Sequence, residues 1–140
     1  MDKKVIAKKI LINTTAENVW RVFTEPEITR QMGGEYLTDW KVGSSFSWKG
    51  TDGNIYTHGA ILQLIPNEIL KHSLFSPDDP KHILSAITYR LEETDGTTTL
   101  FAREERTYDM TDEEYEGASG GWEYALNLLR EKAENLPAKS

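Results

Sequence analysis

Two histidines and a carboxylate are the groups in this sequence best suited to chemistry. His58 and His72 stand fourteen residues apart, and Glu104 lies in a later run of similar composition. Carried to one face by neighbouring strands, the three could hold a metal ion or divide the work of a general base and a general acid. The spacing fits no metal motif, and a histidine such as His72 is as readily satisfied by ordinary hydrogen bonds, so metal binding and acid–base catalysis are the lesser readings. Glu104 and Arg106 share a strand face. They form either an ion pair near the sheet end or polar anchors for a ligand's carboxylate or hydroxyl groups. No glycine-rich phosphate loop, nucleotide fingerprint, nucleophile elbow or zinc motif occurs. The absence of cysteine removes disulfides, thiolate nucleophiles and cysteine-held metals.

The elements that must position these groups follow from periodicity. Residues 4–13, KVIAKKILIN, alternate and are β-branched, which predicts a first strand. Thr14 and Glu17 have capping-box spacing before the apolar face of Val19, Trp20 and Phe23, which predicts a short helix; a second starts at Pro26 and stops at Gly33-Gly34. From Glu35 to Tyr108 the period becomes two. Asp52-Gly53 and Asp95-Gly96 predict type I′ hairpins, Val42-Gly43 and Pro66-Asn67 mark turns, and SPDDPK at 76–81 reads as a polar loop. Six strands result, near 35–41, 44–51, 54–65, 68–75, 82–92 and 97–107.

The last element is one long helix. Tyr115, Ala118, Trp122, Leu126, Leu129, Ala133 and Leu136 recur every three or four residues, and Thr111 with Glu114 forms a capping box. Gly117, Gly120 and Gly121 lie inside this helix, where each costs about 1 kcal/mol relative to alanine. Either another backbone approaches there or room is left for a guest.

Composition narrows the function. A net charge of −7 lacks the basic face that tracking nucleic-acid phosphates requires, so nucleic acid is not an expected partner. The start, MDKKVIAKKI, has no apolar signal region, and nowhere do about eighteen apolar residues run together. The expectation is one cytoplasmic domain over residues 1–140, without membrane insertion.

The order strand, two short helices, six meandering strands and a long helix resembles the START-like, helix-grip superfamily. More narrowly it resembles the branch named for the C-terminal domain of the heat-shock-protein-90 ATPase activator. The residues that carry the resemblance are Val19-Trp20, EPE at 25–27, VGSSF with Gly43 and Phe46, HGAILQLIPNEIL at 58–70, GTTTL at 96–100, and Gly121-Trp122 followed by LNLL. The resemblance implies an α+β fold in which a curved seven-stranded antiparallel sheet grips the C-terminal helix, with a cavity between them for hydrophobic or aromatic molecules. The register that best agrees with it turns Phe46, Trp48, Tyr56, His58, Ala60, Leu62, Leu64, Leu70, His72, Leu74, Ile87, Tyr89, Leu91, Leu100, Ala102, Glu104 and Arg106 toward the helix. The expected ligand-binding residues are Phe46, Trp48, Tyr56, His58, His72, Tyr89, Glu104, Gly121 and Trp122, with no catalytic residue, metal or cofactor.

Binding of a small hydrophobic, aromatic or lipid-like ligand is thus the main functional expectation, and an enzyme is the less favoured reading. The alternatives are a cyclase- or aromatase-like enzyme using polar cavity residues, and a chaperone-associated interaction domain, with self-association open to the same surface. The chain begins at its first strand, so the role of a full-length activator is not expected of it.

Overall fold

A computed structural model of the 140-residue chain describes residues 4–76 and 79–136. The elements follow in the order β1 (Val5–Ile12), α1 (Ala16–Thr24), α2 (Pro26–Thr29), β2 (Gly34–Thr38), β3 (Ser45–Gly50), β4 (Ile55–Ile65), β5 (Ile69–Ser76), β6 (Asp79–Thr94), β7 (Thr97–Arg106) and α3 (Asp112–Glu134). A single 3₁₀ turn, Arg30–Met32, extends α2 before Gly33 ends it at a φ of +109°. The strands form one sheet in the order β1-β7-β6-β5-β4-β3-β2, antiparallel at every pairing. This is the helix-grip α+β architecture: a curved sheet, short helices after the first strand, and α3 across the concave face.

The local chemistry explains the element ends. Thr111 accepts from the Glu114 amide at 3.1 Å while the Glu114 carboxylate accepts from the Thr111 amide at 3.0 Å, closing the expected capping box. At α1 the cap is Thr15 rather than Thr14: its hydroxyl accepts from the Asn18 amide, and Thr14 instead accepts from the Asn18 side chain. The Ala16 amide, another donor without an intrahelical partner, reaches Glu93 of β6 at 2.6 Å, so the helix start is tied to the sheet. Asp95 and Gly96 both have positive φ, as a type I′ turn requires. The Asp52-Gly53 turn is different. Only Gly53 has positive φ, and hydrogen bonds from Gly50 to Asn54 and from Gly53 to Gly50 close a longer loop. The polar loop expected at 76–81 lies partly outside the described residues, and the backbone from Asp79 onward already belongs to β6.

The core fills the space between the concave face and the helices. Ile12, Val19, Val22, Phe46, Ile61, Leu70, Leu100, Leu126, Leu129 and Ala133 are all buried within it. The grip of α3 is uneven. Its buried residues, Leu126, Leu129 and Ala133, all lie in the C-terminal half. The N-terminal half projects past the core, its inner residues Tyr115, Ala118 and Trp122 only partly buried.

Candidate ligand-binding cleft

Strand register decides which polar side chains meet. In β5, β6 and β7 the inward residues are those the alternation predicts: His72 opposes Ile87, Leu70 opposes Tyr89, and Ile87 opposes Glu104. In β4 the phase is the reverse of the expectation. Thr57, Gly59 and Ile61 take the inward phase, so Tyr56, His58, Ala60 and Leu62 do not. A bulge at Leu62 then restores the expected phase, and Leu64 faces the core. A second irregularity, between the Trp48/Thr57 and Lys49/Ile55 pairs, leaves Tyr56 without a partner on β3.

The reason is steric. Position 59 faces the Phe46 ring and the Ser73 carbonyl, and a Cβ there would collide with both, so only glycine fits inward. Tyr56 is therefore 58 % exposed and donates to Asp52, while His58 is exposed and sits 3.0 Å from the Ser47 hydroxyl. Neither belongs to the cleft, and His58 and His72 lie on opposite faces of the sheet. The metal or acid–base set is not assembled. Among the described residues no group of three His, Asp or Glu side chains is placed to hold a metal.

What the concave face does assemble is an aromatic cluster. The His72 ring lies 4.5 Å from Phe46, 6.1 Å from Tyr36 and 6.3 Å from Tyr89, centroid to centroid. Tyr36 in turn meets Trp48 at 5.0 Å and Trp40 at 5.5 Å, and Tyr89 meets Phe23 at 4.7 Å and Trp122 at 5.8 Å. All these pairs are edge-on or tilted rather than stacked face to face. Two recesses open onto this cluster. One, of about 220 Å³, lies between the sheet and the three helices and is lined by Phe23, Met32, Tyr36, Trp48, Tyr89 and Leu129 among others. The second, of about 300 Å³, lies under the projecting half of α3 and is lined by Ile87, Tyr89, Glu104, Arg106, Gly121 and Trp122. Tyr89 and Ala125 line both, so the recesses are neighbours. A larger hollow of about 410 Å³ is bounded by Arg30, Glu35, Lys49 and Asp52 at the β2–β3 edge. Its charged walls favour water over an apolar guest.

The electrostatics separate the aromatic cluster from the mouth. Burial, only slightly opposed by a contact with the Ser73 carbonyl, holds the His72 imidazole down at about 4, so it is neutral at pH 7. Burial pushes Tyr36 up to about 12 despite its hydrogen bond with Tyr89, and pushes Tyr89 well above the usual phenol value. The aromatic cluster is thus uncharged at neutral pH. At the mouth, Glu104 is 7 % exposed and both oxygens are engaged: Oε1 accepts from the Trp122 indole at 2.8 Å, and Oε2 from Arg106 Nε at 3.0 Å. Arg106 also donates to the Tyr108 hydroxyl at 2.7 Å. Burial opposes its charge, but Glu104 and Tyr108 together outweigh that and raise its pKa. Glu104 is therefore not an exposed surface acid but the tether that fastens α3 to β7 through Trp122.

The glycines of α3 have a clear answer in part. A Cβ added at Gly117, Gly120 or Gly121 would meet nothing within 4 Å, so no backbone packs against them. Gly121 borders the cleft, whereas Gly117 and Gly120 face open surroundings. Of the nine residues expected at the site, Trp48, Tyr89, Glu104, Gly121 and Trp122 line the two recesses, Phe46 and His72 are buried behind them in ring contact with Tyr36, and Tyr56 and His58 lie elsewhere. Tyr36, Phe23 and Met32 complete it. Tyr36 lies on the same alternation as Trp40 and Trp48, a pattern equally open to an aromatic rim or to plain sheet surface, and the helix residues needed the tertiary arrangement.

A curved sheet gripping one helix, with an aromatic cleft between, defines the class of protein, and similarity to known proteins narrows it. Residues 13–134 match the family model described as Activator of Hsp90 ATPase homolog 1-like protein, and the chain belongs to that family. Among curated proteins none matches the chain. Among solved structures it resembles ChR145 from Cytophaga hutchinsonii, with 28 % identity, TM-score 0.77, and coverage of 96 % of this chain and 97 % of that one. It also shares its fold with MLL2253 from Mesorhizobium loti, at 21 % identity, TM-score 0.78, and coverage of 96 % and 99 %. The Aha1 dimer from Colwellia psychrerythraea has the same fold at 17 % identity and TM-score 0.75, covering 94 % of this chain and 96 % of that one.

Proposed function

We propose that this protein is a non-enzymatic binding module, working in the cytoplasm, whose cleft beneath α3 takes a small hydrophobic, aromatic ligand. The observation that carries the reading is the pair of recesses meeting at Tyr89, with walls mainly of aromatic and aliphatic side chains and a few convergent polar groups, the make-up of small-molecule sites in general. The separation of His58 from His72 favours binding over a cyclase-like reaction, because the titratable groups described beside His72 are the phenols of Tyr36 and Tyr89, which burial keeps protonated at neutral pH. Native mass spectrometry of the protein isolated from its own cells, compared with protein stripped by denaturation and refolded, tests the proposal. A retained small mass supports it. Empty protein that also gives no thermal shift with aromatic and lipid libraries overturns it.

Family membership favours a second reading, a chaperone-associated interaction domain, because the family is described by an activator of a chaperone ATPase. The relative described as a dimer adds self-association to the surfaces worth testing. Titrating the protein against the chaperone ATPase of the same organism, with ATP turnover and light scattering as readouts, separates these: stimulation or complex formation supports the chaperone role, and a doubled mass alone supports self-association.

A further inference from the structure

The cleft carries chemical information about what it holds, provided the ligand-binding reading above is right. The recess wall of Tyr36 and Tyr89, and the buried His72 ring directly behind it, contain hydrogen-bonding groups with too few partners. Among the described residues the His72 Nδ1 meets only the Ser73 carbonyl, at a long 3.4 Å, and its buried Nε2 has no partner. With Nδ1 turned to a carbonyl, the proton sits there, and Nε2 presents a lone pair. Tyr36 and Tyr89 are hydrogen-bonded to one another, and two hydroxyls in one mutual bond leave one proton over. These groups belong to one aromatic cluster, and the two tyrosines line the recess directly. Buried polar atoms in folded proteins are rarely left unpaired, and those that are often mark a place for water or ligand.

The charges around the cleft point the same way by elimination. Glu104 has both oxygens committed to Trp122 and Arg106, and the Arg106 charge is balanced by Glu104. A carboxylate or ammonium entering the recess by Phe23, Met32 and Trp48 would lose its hydration without gaining a free counter-ion. An uncharged hydroxyl meets no such obstacle, and it is both donor and acceptor.

We propose that the ligand's buried end is a hydroxyl on an apolar ring, a phenol or its alcohol equivalent, giving its proton to His72 Nε2 and accepting one from the Tyr36–Tyr89 pair. The neutrality of all three side chains at pH 7 is consistent with this arrangement. A carbonyl would satisfy only the tyrosine proton, and a bare hydrocarbon neither group.

Three probes of one skeleton test the assignment on the full chain: naphthalene, 2-naphthol and 2-naphthoate, with binding followed by tryptophan fluorescence and by amide chemical shifts. The expected order places 2-naphthol about tenfold tighter than naphthalene, the worth of one or two net hydrogen bonds, with 2-naphthoate weaker still. Tyr36→Phe and His72→Leu should each remove most of the preference for 2-naphthol while retaining naphthalene. Two variants are used so that either one suffices if the other folds poorly. Binding of 2-naphthoate as tight as 2-naphthol, or a preference unchanged in a folded variant, overturns the hydroxyl assignment and leaves the cleft as a ligand site. Failure of all three probes to bind overturns the cleft reading, and the hydroxyl assignment falls with it.

Discussion

Replacing the α3 glycines by alanine should make this protein more stable, which is unusual for substitutions inside a helix near a candidate site. None of the three has a positive φ, and a Cβ at each meets nothing within 4 Å, so alanine enters without strain. What remains is backbone entropy, about 1 kcal/mol per interior helical glycine. Gly117→Ala/Gly120→Ala/Gly121→Ala together should therefore add roughly 2–3 kcal/mol. For a domain of this size that raises the melting temperature by roughly 6–12 °C. Urea unfolding followed by far-ultraviolet circular dichroism would measure the free energy, and the slope with denaturant should stay constant. The single variants divide the cause. Gly117→Ala and Gly120→Ala should stabilise without altering affinity for 2-naphthol, whereas Gly121→Ala, which places a methyl group at the border of the cleft, should stabilise and weaken binding. A triple variant with an unchanged or lowered midpoint would refute the reasoning, because it would mean that these positions are not an open, regular helix.

Acid should weaken the fold through His72. Its folded value near 4 lies below the ordinary 6.5, so the unfolded chain takes up a proton that the folded one refuses between those values; stability is full above pH 6.5 and falls as pH drops toward 4. At about 1.4 kcal/mol per pH unit the loss is about 3 kcal/mol. His72→Leu should flatten the urea midpoint across this window, and a wild-type slope surviving in the variant would count against burial as its cause. Gly59→Ala should destabilise by more than about 2 kcal/mol, since the new methyl group runs into the Ser73 carbonyl and the Phe46 ring; calorimetry showing a normal melting temperature would contradict the inward placement of that residue. Glu104→Gln should cost about 1–2 kcal/mol by weakening the charged hydrogen bonds to Trp122 and Arg106, and it should speed amide exchange selectively in residues 115–122. Uniform exchange along α3 would argue that Glu104 does not fasten the helix.

The parts legible in the sequence are those where one periodic signal acts alone. The α3 stripe and its Thr111–Glu114 capping box depend on residues within the helix, and both appear as read. In β5 to β7 each strand keeps one phase through its central pairings, so once the family resemblance and the apolar content choose the phase, alternation places His72, Tyr89 and Glu104 inward. At the start of α1 the choice between Thr14 and Thr15 was decided by the Asn18 contacts, and the capping-box spacing of Thr14 and Glu17 carried no trace of them.

β4 marks the limit of that reading and also bears on the functional proposal. Its sequence, IYTHGAILQLI, contains apolar residues in both phases, so alternation does not distinguish a face. The even phase offers Tyr56, His58, Ala60, Leu62 and Leu64; the odd phase offers Ile55, Thr57, Gly59, Ile61, Gln63 and Ile65. By side-chain volume the even phase looks like the inner one. What overrides it is the space already taken by Phe46, which demands the one residue with no side chain, followed by a bulge that changes phase at Leu62. Both are contacts between strands, invisible in a single run of residues. Had the even phase been correct, His58 would face inward near His72 and a proton-transferring pair would be the natural reading. Turning β4 over puts His58 beside Ser47 on the other face and leaves His72 alone among aromatic rings, its Nε2 unmatched and its proton affinity suppressed by burial. A neutral imidazole enclosed by aromatic rings is poorly suited to exchange protons with a substrate at neutral pH and well suited to accept one hydrogen bond, so the inward glycine of β4 is what makes the proposal one of binding rather than catalysis.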